Sequence, residues 1–129
     1  MDCIFCKIAK GELDSAKVYE DENIFAFLDI KPFAKGHCLV IPKEHFENIF
    51  DIDENILQKV IVIAKKISEK IKNNLKADGI RLSQSNGETA GQEVMHFHLH
   101  LIPKYKDDGV PEANFGELKK LAEEIRAYL

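Results

Sequence analysis

Several features are scarce in this chain, and each scarcity excludes a class of protein. The 129 residues include three cysteines and no tryptophan. A small, odd number of cysteines argues against the disulfide framework of a small secreted protein. No apolar run approaches the roughly 20 residues of a membrane helix, so we expect no membrane span and no membrane partner. The net charge of −4 argues against a nucleic-acid partner, because such proteins normally present a basic face.

What remains is the composition of an ordinary globular protein. Hydrophobic residues make up 45% of the chain and charged residues 31%. This length and composition predict a single domain over residues 1–129. The first residues lack the basic region and apolar core of a signal peptide, which predicts a cytoplasmic location.

Hydrophobic periodicity predicts an α+β fold with an antiparallel sheet of about five strands. Residues 53–75 carry an apolar residue every three or four positions, typical of an amphipathic helix, with Asp53 as its N-cap. A second helix is predicted from Asn114, with Glu117 at the capping-box position. The long helix is expected to pack on one face of the sheet. The predicted strands are 17–19, 24–28, 37–41, 80–85 and 96–102.

The most informative stretch is HFHLHLIPK, residues 96–104, in which three histidines alternate with apolar residues. In a strand, His96, His98 and His100 would share one face. A solvated polar face is one interpretation. A metal site is another, but His96 and His100 would start about 13 Å apart, too far for one ion to gather all three easily. Covalent catalysis is the third, since a neutral imidazole is a good nucleophile toward phosphorus near pH 7.

The loop that precedes these histidines favours a phosphate site. Residues 86–93 contain two glycines, and such loops can turn several N–H groups inward to bind an anion. A plain hairpin loop is the alternative, because Asn-Gly is also a common turn signal. The neighbouring histidines favour the phosphate interpretation.

At this point the chain resembles the histidine triad (HIT) family, most closely its compact prokaryotic Hint-like branch. Residues 96–102 fit the pattern H-φ-H-φ-H-φ-φ. Further matches run from the Cys-Ile-Phe-Cys segment at residues 3–6 through 27–30 and 36–43 to the Gly-Gln pair at 91–92. The resemblance implies the HIT-like fold, a nucleotide substrate and a homodimer that uses the long helix and a sheet edge.

The resemblance also implies a role for each matching residue. His98 would attack the α-phosphate to form a nucleotidyl-histidine, with His100 on the phosphate and leaving group and His37 supporting the triad. Asp29 would bind the ribose hydroxyls. The matching phosphate contacts are Asn86, Gly91, Gln92, Glu93 and Val94, and the matching base slot is Ile4, Phe5, Ile8, Leu13, Phe27 and Ile30.

Cys3 and Cys6 form a C-x-x-C pair, which by itself indicates either a metal site or redox chemistry. Some prokaryotic HIT proteins, and the related galactose-1-phosphate uridylyltransferases, bind a structural zinc. The matching ligands here are Cys3, Cys6, His45 and His96, a set that suits tetrahedral zinc. Cys38 is expected to be a small buried hydrophobe.

Two departures from the family pattern affect the expected specificity. Glu93 stands where Hint-like proteins carry serine and Fhit-like proteins threonine, so the preference for a leaving group is open. The end of the chain has no tryptophan, so the substrate-contacting tail of the eukaryotic branch does not transfer.

The leading functional prediction is an enzyme that hydrolyses purine nucleoside 5′-phosphoramidates. Hydrolysis of dinucleoside polyphosphates is the alternative within the same family. A nucleotide-binding scaffold with vestigial turnover and a thiol redox protein are alternatives from other classes.

Overall fold

The predicted α+β architecture is confirmed. The structure, a computed structural model, describes residues 3–107 and 114–126. Its described part contains one antiparallel sheet with strand order β1-β2-β3-β5-β4. The helices are α1 (Ile4–Ala9), α2 (Glu54–Leu75) and α3 (Phe115–Arg126). The strands are β1 (Lys17–Glu20), β2 (Ile24–Leu28), β3 (Cys38–Pro42), β4 (Gly79–Ser83) and β5 (Leu99–Lys104).

Helices α2 and α3 cover one face of the sheet, as the periodicity predicts for the long helix. The Asp53 side chain accepts a hydrogen bond from the Ile56 N–H at 3.1 Å and caps α2. Asn114 caps α3 in the same way, accepting from the Glu117 N–H at 2.9 Å. The apolar stripe of α2 is buried against alternate strand residues such as Val40 and Leu101. This layer is the main core of the domain.

The opposite face of the sheet carries α1 and a second, smaller apolar cluster. Strands β2 and β3 are buried throughout, because their side chains alternate between the two layers. Phe27 and Leu39 lie on the α1 side, where they pack with Phe5 and Ile8. Helix α1 has only six residues, so it covers only part of this face. A cavity opens on the part of the sheet that α1 does not cover.

The histidine stretch differs in one respect from the predicted strand 96–102. The regular strand begins at Leu99, since the chain before it is held differently: the Phe97 N–H donates to the Phe46 carbonyl at 2.7 Å. The alternation nevertheless persists, with Phe97, Leu99 and Leu101 in the α2 layer. No helix in residues 3–107 or 114–126 has the length and apolar character needed to cross a bilayer.

Candidate functional site

A cavity of about 410 Å³ opens on the α1 side of the sheet. Four of its lining residues form a row across adjacent strands, because Phe27 pairs with Leu39, Leu39 with His100, and His100 with Ser83. The volume lies in the range of small-molecule sites. The structure thus places a histidine between an apolar slot and a polar strand edge.

His98 lines this cavity, and its protonation state follows from one backbone contact. Its Nδ1 lies 2.7 Å from the carbonyl oxygen of His96. A carbonyl only accepts hydrogen bonds, so Nδ1 carries the ring proton and Nε2 keeps a lone pair. Burial lowers the pKa of His98 below its usual 6.5, against the opposing effects of the His96 carbonyl and nearby carboxylates. His98 is therefore a neutral imidazole with a nucleophilic Nε2.

A series of hydrogen bonds through His37 places the ring proton of His100 on Nε2, whereas that of His98 is on Nδ1. The Phe33 N–H donates to His37 Nδ1 at 3.1 Å, so the proton of neutral His37 is on Nε2. That nitrogen lies 2.9 Å from His100 Nδ1, which accepts, leaving the His100 proton on Nε2. Burial, followed by the nearby His98, lowers the pKa of His100 to about 4. The site therefore pairs a nucleophilic nitrogen on His98 with a donor nitrogen on His100.

Asp29 lies between the cavity and the hydrogen-bonded pair of His37 and His100. It follows β2, and its N–H donates to the His37 carbonyl at 2.9 Å. Its Oδ1 accepts from the Lys31 N–H at 2.9 Å, and its Oδ2 lies 3.7 Å from His37 Nε2. Asp29 lines the cavity, where a carboxylate can accept from two vicinal hydroxyls.

Loop 87–94 has fewer backbone N–H groups free to bind an anion than its two glycines suggest. The N–H groups of Gly87 and Gly91 are used inside the loop, donating to Gln92 Oε1 at 2.8 Å and to the Glu88 carbonyl at 3.0 Å. Gly91 adopts φ +97°, a conformation that a side chain would strain. The N–H groups of Glu93 and Val94 form no hydrogen bond with the described residues, and both residues line the cavity. These two residues therefore offer N–H groups that are available to an anion in the cavity.

A second cluster lies beside the cavity and consists of Cys3, Cys6, His45 and His96. Both His96 Nδ1 and His45 Nδ1 face the thiols: Cys3 Sγ is 3.3 Å from His96 Nδ1, and Cys6 Sγ is 3.3 Å from His45 Nδ1. His96 Nε2 donates to the Pro42 carbonyl at 2.8 Å, so its Nδ1 is unprotonated and free to bind a cation. Helix α1 brings the two cysteines here, since Cys3 is its N-cap.

The spacing of these four atoms fits a tetrahedral zinc. Zinc–nitrogen and zinc–sulfur bonds of about 2.0–2.3 Å imply ligand–ligand edges of about 3.3–3.8 Å. The corresponding distances are 3.2 Å between the two Nδ1 atoms and 3.4 Å between Cys6 Sγ and His96 Nδ1, which lie close to the short end of this range. Without a cation the site is unfavourable for thiolates, because burial and the adjacent Cys3 raise the pKa of Cys6 to about 11. The donor set and spacing therefore fit a cation that would reverse this effect.

Comparison with known proteins identifies the family. The HIT domain matches residues 10–107. The chain belongs to the HIT family. Within its prokaryotic HIT-like branch, "Protein hit" of Bacillus subtilis is 47% identical over 109 residues, covering 84% of this chain and 75% of that protein. The adenosine 5′-monophosphoramidase HNT1 of Saccharomyces cerevisiae is 42% identical over 134 residues, covering 98% of this chain and 82% of that enzyme.

A solved relative bears on the fold and on the cysteine cluster. The structure of a zinc-bound histidine triad family protein from Mycobacterium smegmatis superposes with a TM-score of 0.89 at 33% identity, covering 98% of this chain and 92% of that one. The HIT-like fold is thus shown, and the Cys3, Cys6, His45 and His96 cluster is consistent with a zinc site.

Most of the expected HIT site residues line the cavity, whereas the side chains of Asn86, Gln92 and Leu13 lie outside it. Asn86 does not line it: its Oδ1 accepts from the Ile49 N–H at 2.7 Å. Gln92 is 2% exposed and faces the loop interior, and Leu13 borders a different surface depression. The expected residues that do line the cavity are Ile4, Phe5, Ile8, Phe27, Asp29, Ile30, Gly91, Glu93, Val94, His98 and His100.

The HIT cavity also contains residues that the sequence analysis missed. Ser83 and Ser85 lie on its polar side, where Asn86 was expected, and Phe33 lies on its apolar side. The Phe33 ring stacks on His37 with centroids 5.3 Å apart. The sequence of β4 does contain a signal for Ser83. Ile80 and Ser83 are on opposite faces of the strand, and Ile80 packs against the α2 core, so Ser83 faces the cavity side.

Proposed function

We propose that this HIT protein hydrolyses purine nucleoside 5′-phosphoramidates through a covalent nucleotidyl intermediate on His98. The observation that carries the proposal is the 2.7 Å bond from His98 Nδ1 to the His96 carbonyl, which leaves Nε2 as an unprotonated nucleophile. The similarity to a yeast adenosine 5′-monophosphoramidase supports the substrate class.

In the first step, His98 Nε2 forms a bond to the α-phosphorus and the phosphorus–nitrogen bond breaks, with the departing nitrogen taking a proton from solvent water. The His100 Nε2–H and the N–H groups of Glu93 and Val94 donate to the phosphoryl oxygens, where negative charge develops. In the second step, water displaces His98 from phosphorus. Across both steps one water is consumed, with one hydrogen ending on the released amine and the oxygen on the nucleotide.

The cavity's charge favours this substrate over a dinucleoside polyphosphate. Its charged lining residues are Asp14, Asp29 and Glu93, and no lysine or arginine in the described part of the chain lines it. A polyphosphate leaving group would carry several negative charges toward these carboxylates without a cation to pair them. We therefore place phosphoramidate hydrolysis ahead of the polyphosphate alternative.

The test is AMP release from adenosine 5′-phosphoramidate, compared between wild type and His98→Ala. We expect release by the wild type, at least about 1,000-fold slower release by the variant, and a nucleotidyl adduct by intact mass after rapid quenching. Equal release by the two proteins would refute the nucleophile. Turnover of diadenosine polyphosphates above that of the phosphoramidate would favour the alternative substrate.

We further propose that Cys3, Cys6, His45 and His96 bind a structural zinc. When bound, zinc would tie the N-terminal helix to the histidine stretch and keep the thiols deprotonated. Metal analysis of the purified protein should find about one zinc per chain, and Cys38→Ala, which alters the cysteine outside the cluster, should keep it. Zinc at background in the wild type would refute the site.

We also propose that the protein is a homodimer. Strand β4 is an edge of the described sheet, and Leu82 on it is 47% exposed. On α2, Ile61 and Val62 are about half exposed, so both elements present apolar surface. Light scattering should give twice the chain mass, and Val62→Glu should shift the protein toward monomer. A monomeric wild type at micromolar concentration would contradict the proposal.

A further inference from the structure

The cavity contains a carboxylate that the proposed chemistry does not use. Glu93 lines the cavity beside His98, and its charge is close enough to oppose the fall in the pKa of His98. Its carboxylate has no hydrogen bond or ion pair with any described residue. The other two carboxylates are engaged, because Asp14 pairs with Lys119 at 2.5 Å and Asp29 accepts from the Lys31 N–H.

The free carboxylate of Glu93 lies on the side of the cavity where we expect the leaving group. Glu93, Val94 and Ile4 line both the nucleotide cavity and a neighbouring open groove. Asp29 and the other slot residues, such as Phe27 and Ile30, line the cavity but not the groove, so a nucleoside held by them leaves the groove to whatever is bonded to the phosphorus. Glu47 and Asp51 also line the groove, and among the described residues no lysine or arginine does.

From this placement we propose that Glu93 determines leaving-group specificity and selects phosphoramidates whose amine carries a second, positively charged group. This inference rests on the proposed phosphoramidate hydrolysis. The reaction itself is unchanged: the phosphorus–nitrogen bond breaks, and the amine takes a proton from water. The distal ammonium pairs with the Glu93 carboxylate, whereas a distal carboxylate is repelled.

The size of the selection follows from Coulomb's law. Unit charges about 6 Å apart at an effective dielectric constant of about 40–80 change kcat/KM by about three- to tenfold per charge. An ammonium and a carboxylate leaving group of equal length should therefore differ by about ten- to a hundredfold. Since Glu93 is exposed, raising the salt concentration should reduce this ratio.

The experiment uses three adenosine 5′-phosphoramidates of equal length, made from 1,6-diaminohexane, hexylamine and 6-aminohexanoate. We expect the wild type to prefer them in that order. Glu93→Gln should bring all three within about threefold of one another. Glu88→Gln, a change of the same kind in the same loop but outside the cavity, should retain the full preference.

Each other outcome overturns a defined part of the argument. A wild type that hydrolyses all three equally, with dependence on His98, refutes the selection by Glu93 and leaves the proposed function standing. Equal loss of preference in Glu88→Gln assigns it to the general field of the protein rather than to Glu93. Failure of the wild type to exceed His98→Ala on any compound refutes the proposed function and the inference together.

Discussion

Replacement of Gln92 by alanine tests whether this residue shapes the site or touches the phosphate. Its side chain is 2% exposed and forms four hydrogen bonds. Oε1 accepts from the Gly87 N–H at 2.8 Å and from Asn48 Nδ2 at 3.4 Å. Nε2 donates to the carbonyls of Glu47 at 2.6 Å and Val94 at 3.0 Å. The amide therefore joins the loop before α2 to both ends of loop 87–94.

The cost of removing this amide can be estimated from these bonds. Three backbone groups, on Gly87, Glu47 and Val94, lose a buried partner, at about 1 kcal/mol each. The 3.4 Å contact is long and adds little. A total of about 3 kcal/mol lowers the melting temperature of a domain of this size by about 10 °C.

Thermal unfolding followed by circular dichroism, together with kcat/KM for adenosine 5′-phosphoramidate, measures both effects. We expect Gln92→Ala to melt about 10 °C lower and Gln58→Ala, at an exposed position on α2, to melt within about 2 °C of wild type. If Gln92→Ala keeps its melting temperature but loses more than about a hundredfold in kcat/KM, the amide acts on the phosphate and the reasoning is refuted.

Three further predictions concern pH, metal and core. As the pH falls, kcat/KM should decline with a midpoint below 6.5, because burial lowers the pKa of His98 below 6.5 and that of His100 to about 4; a midpoint of the acid limb above 6.5 would contradict this. Cys6→Ser should lose zinc by metal analysis and melt several degrees lower, and retention of a full equivalent would remove Cys6 from the ligand set. Ile67→Ala, at a fully buried position on α2, should lose about 3 kcal/mol in urea unfolding, whereas Lys66→Ala, at an exposed position on the same helix, should lose under about 1 kcal/mol; equal losses would contradict the assigned core face.

The parts of the fold that follow a regular period were predictable from the sequence. The stripe and N-cap of α2, and the alternation of Phe97, Leu99 and Leu101 into the α2 core, depend on local spacing and burial alone. The antiparallel pairing of β4 with β5 agrees with the predicted antiparallel sheet. Such features need only the identities of neighbouring residues.

The polar side of the cavity could not be predicted in the same way, because its geometry depends on distant partners. Asn86 and Ser85 are adjacent, and which one faces the cavity depends on the Ile49 N–H, 37 residues away, which holds Asn86. Gln92 turns inward because Glu47 and Asn48 offer it partners from another loop. A family resemblance assigns residue types to a site. It does not tell which of two adjacent side chains beside a glycine-containing loop faces the cavity.

His96 contributes its imidazole to the cysteine cluster and its main-chain oxygen to His98 Nδ1. Alanine scanning removes only the first of these contributions, since every amino acid supplies the same carbonyl. A His96→Ala variant with residual turnover would therefore say nothing against a catalytic part for residue 96. Exposing that part requires chemistry on the main chain itself, such as an ester in place of the amide between residues 96 and 97, whose carbonyl is a weaker acceptor.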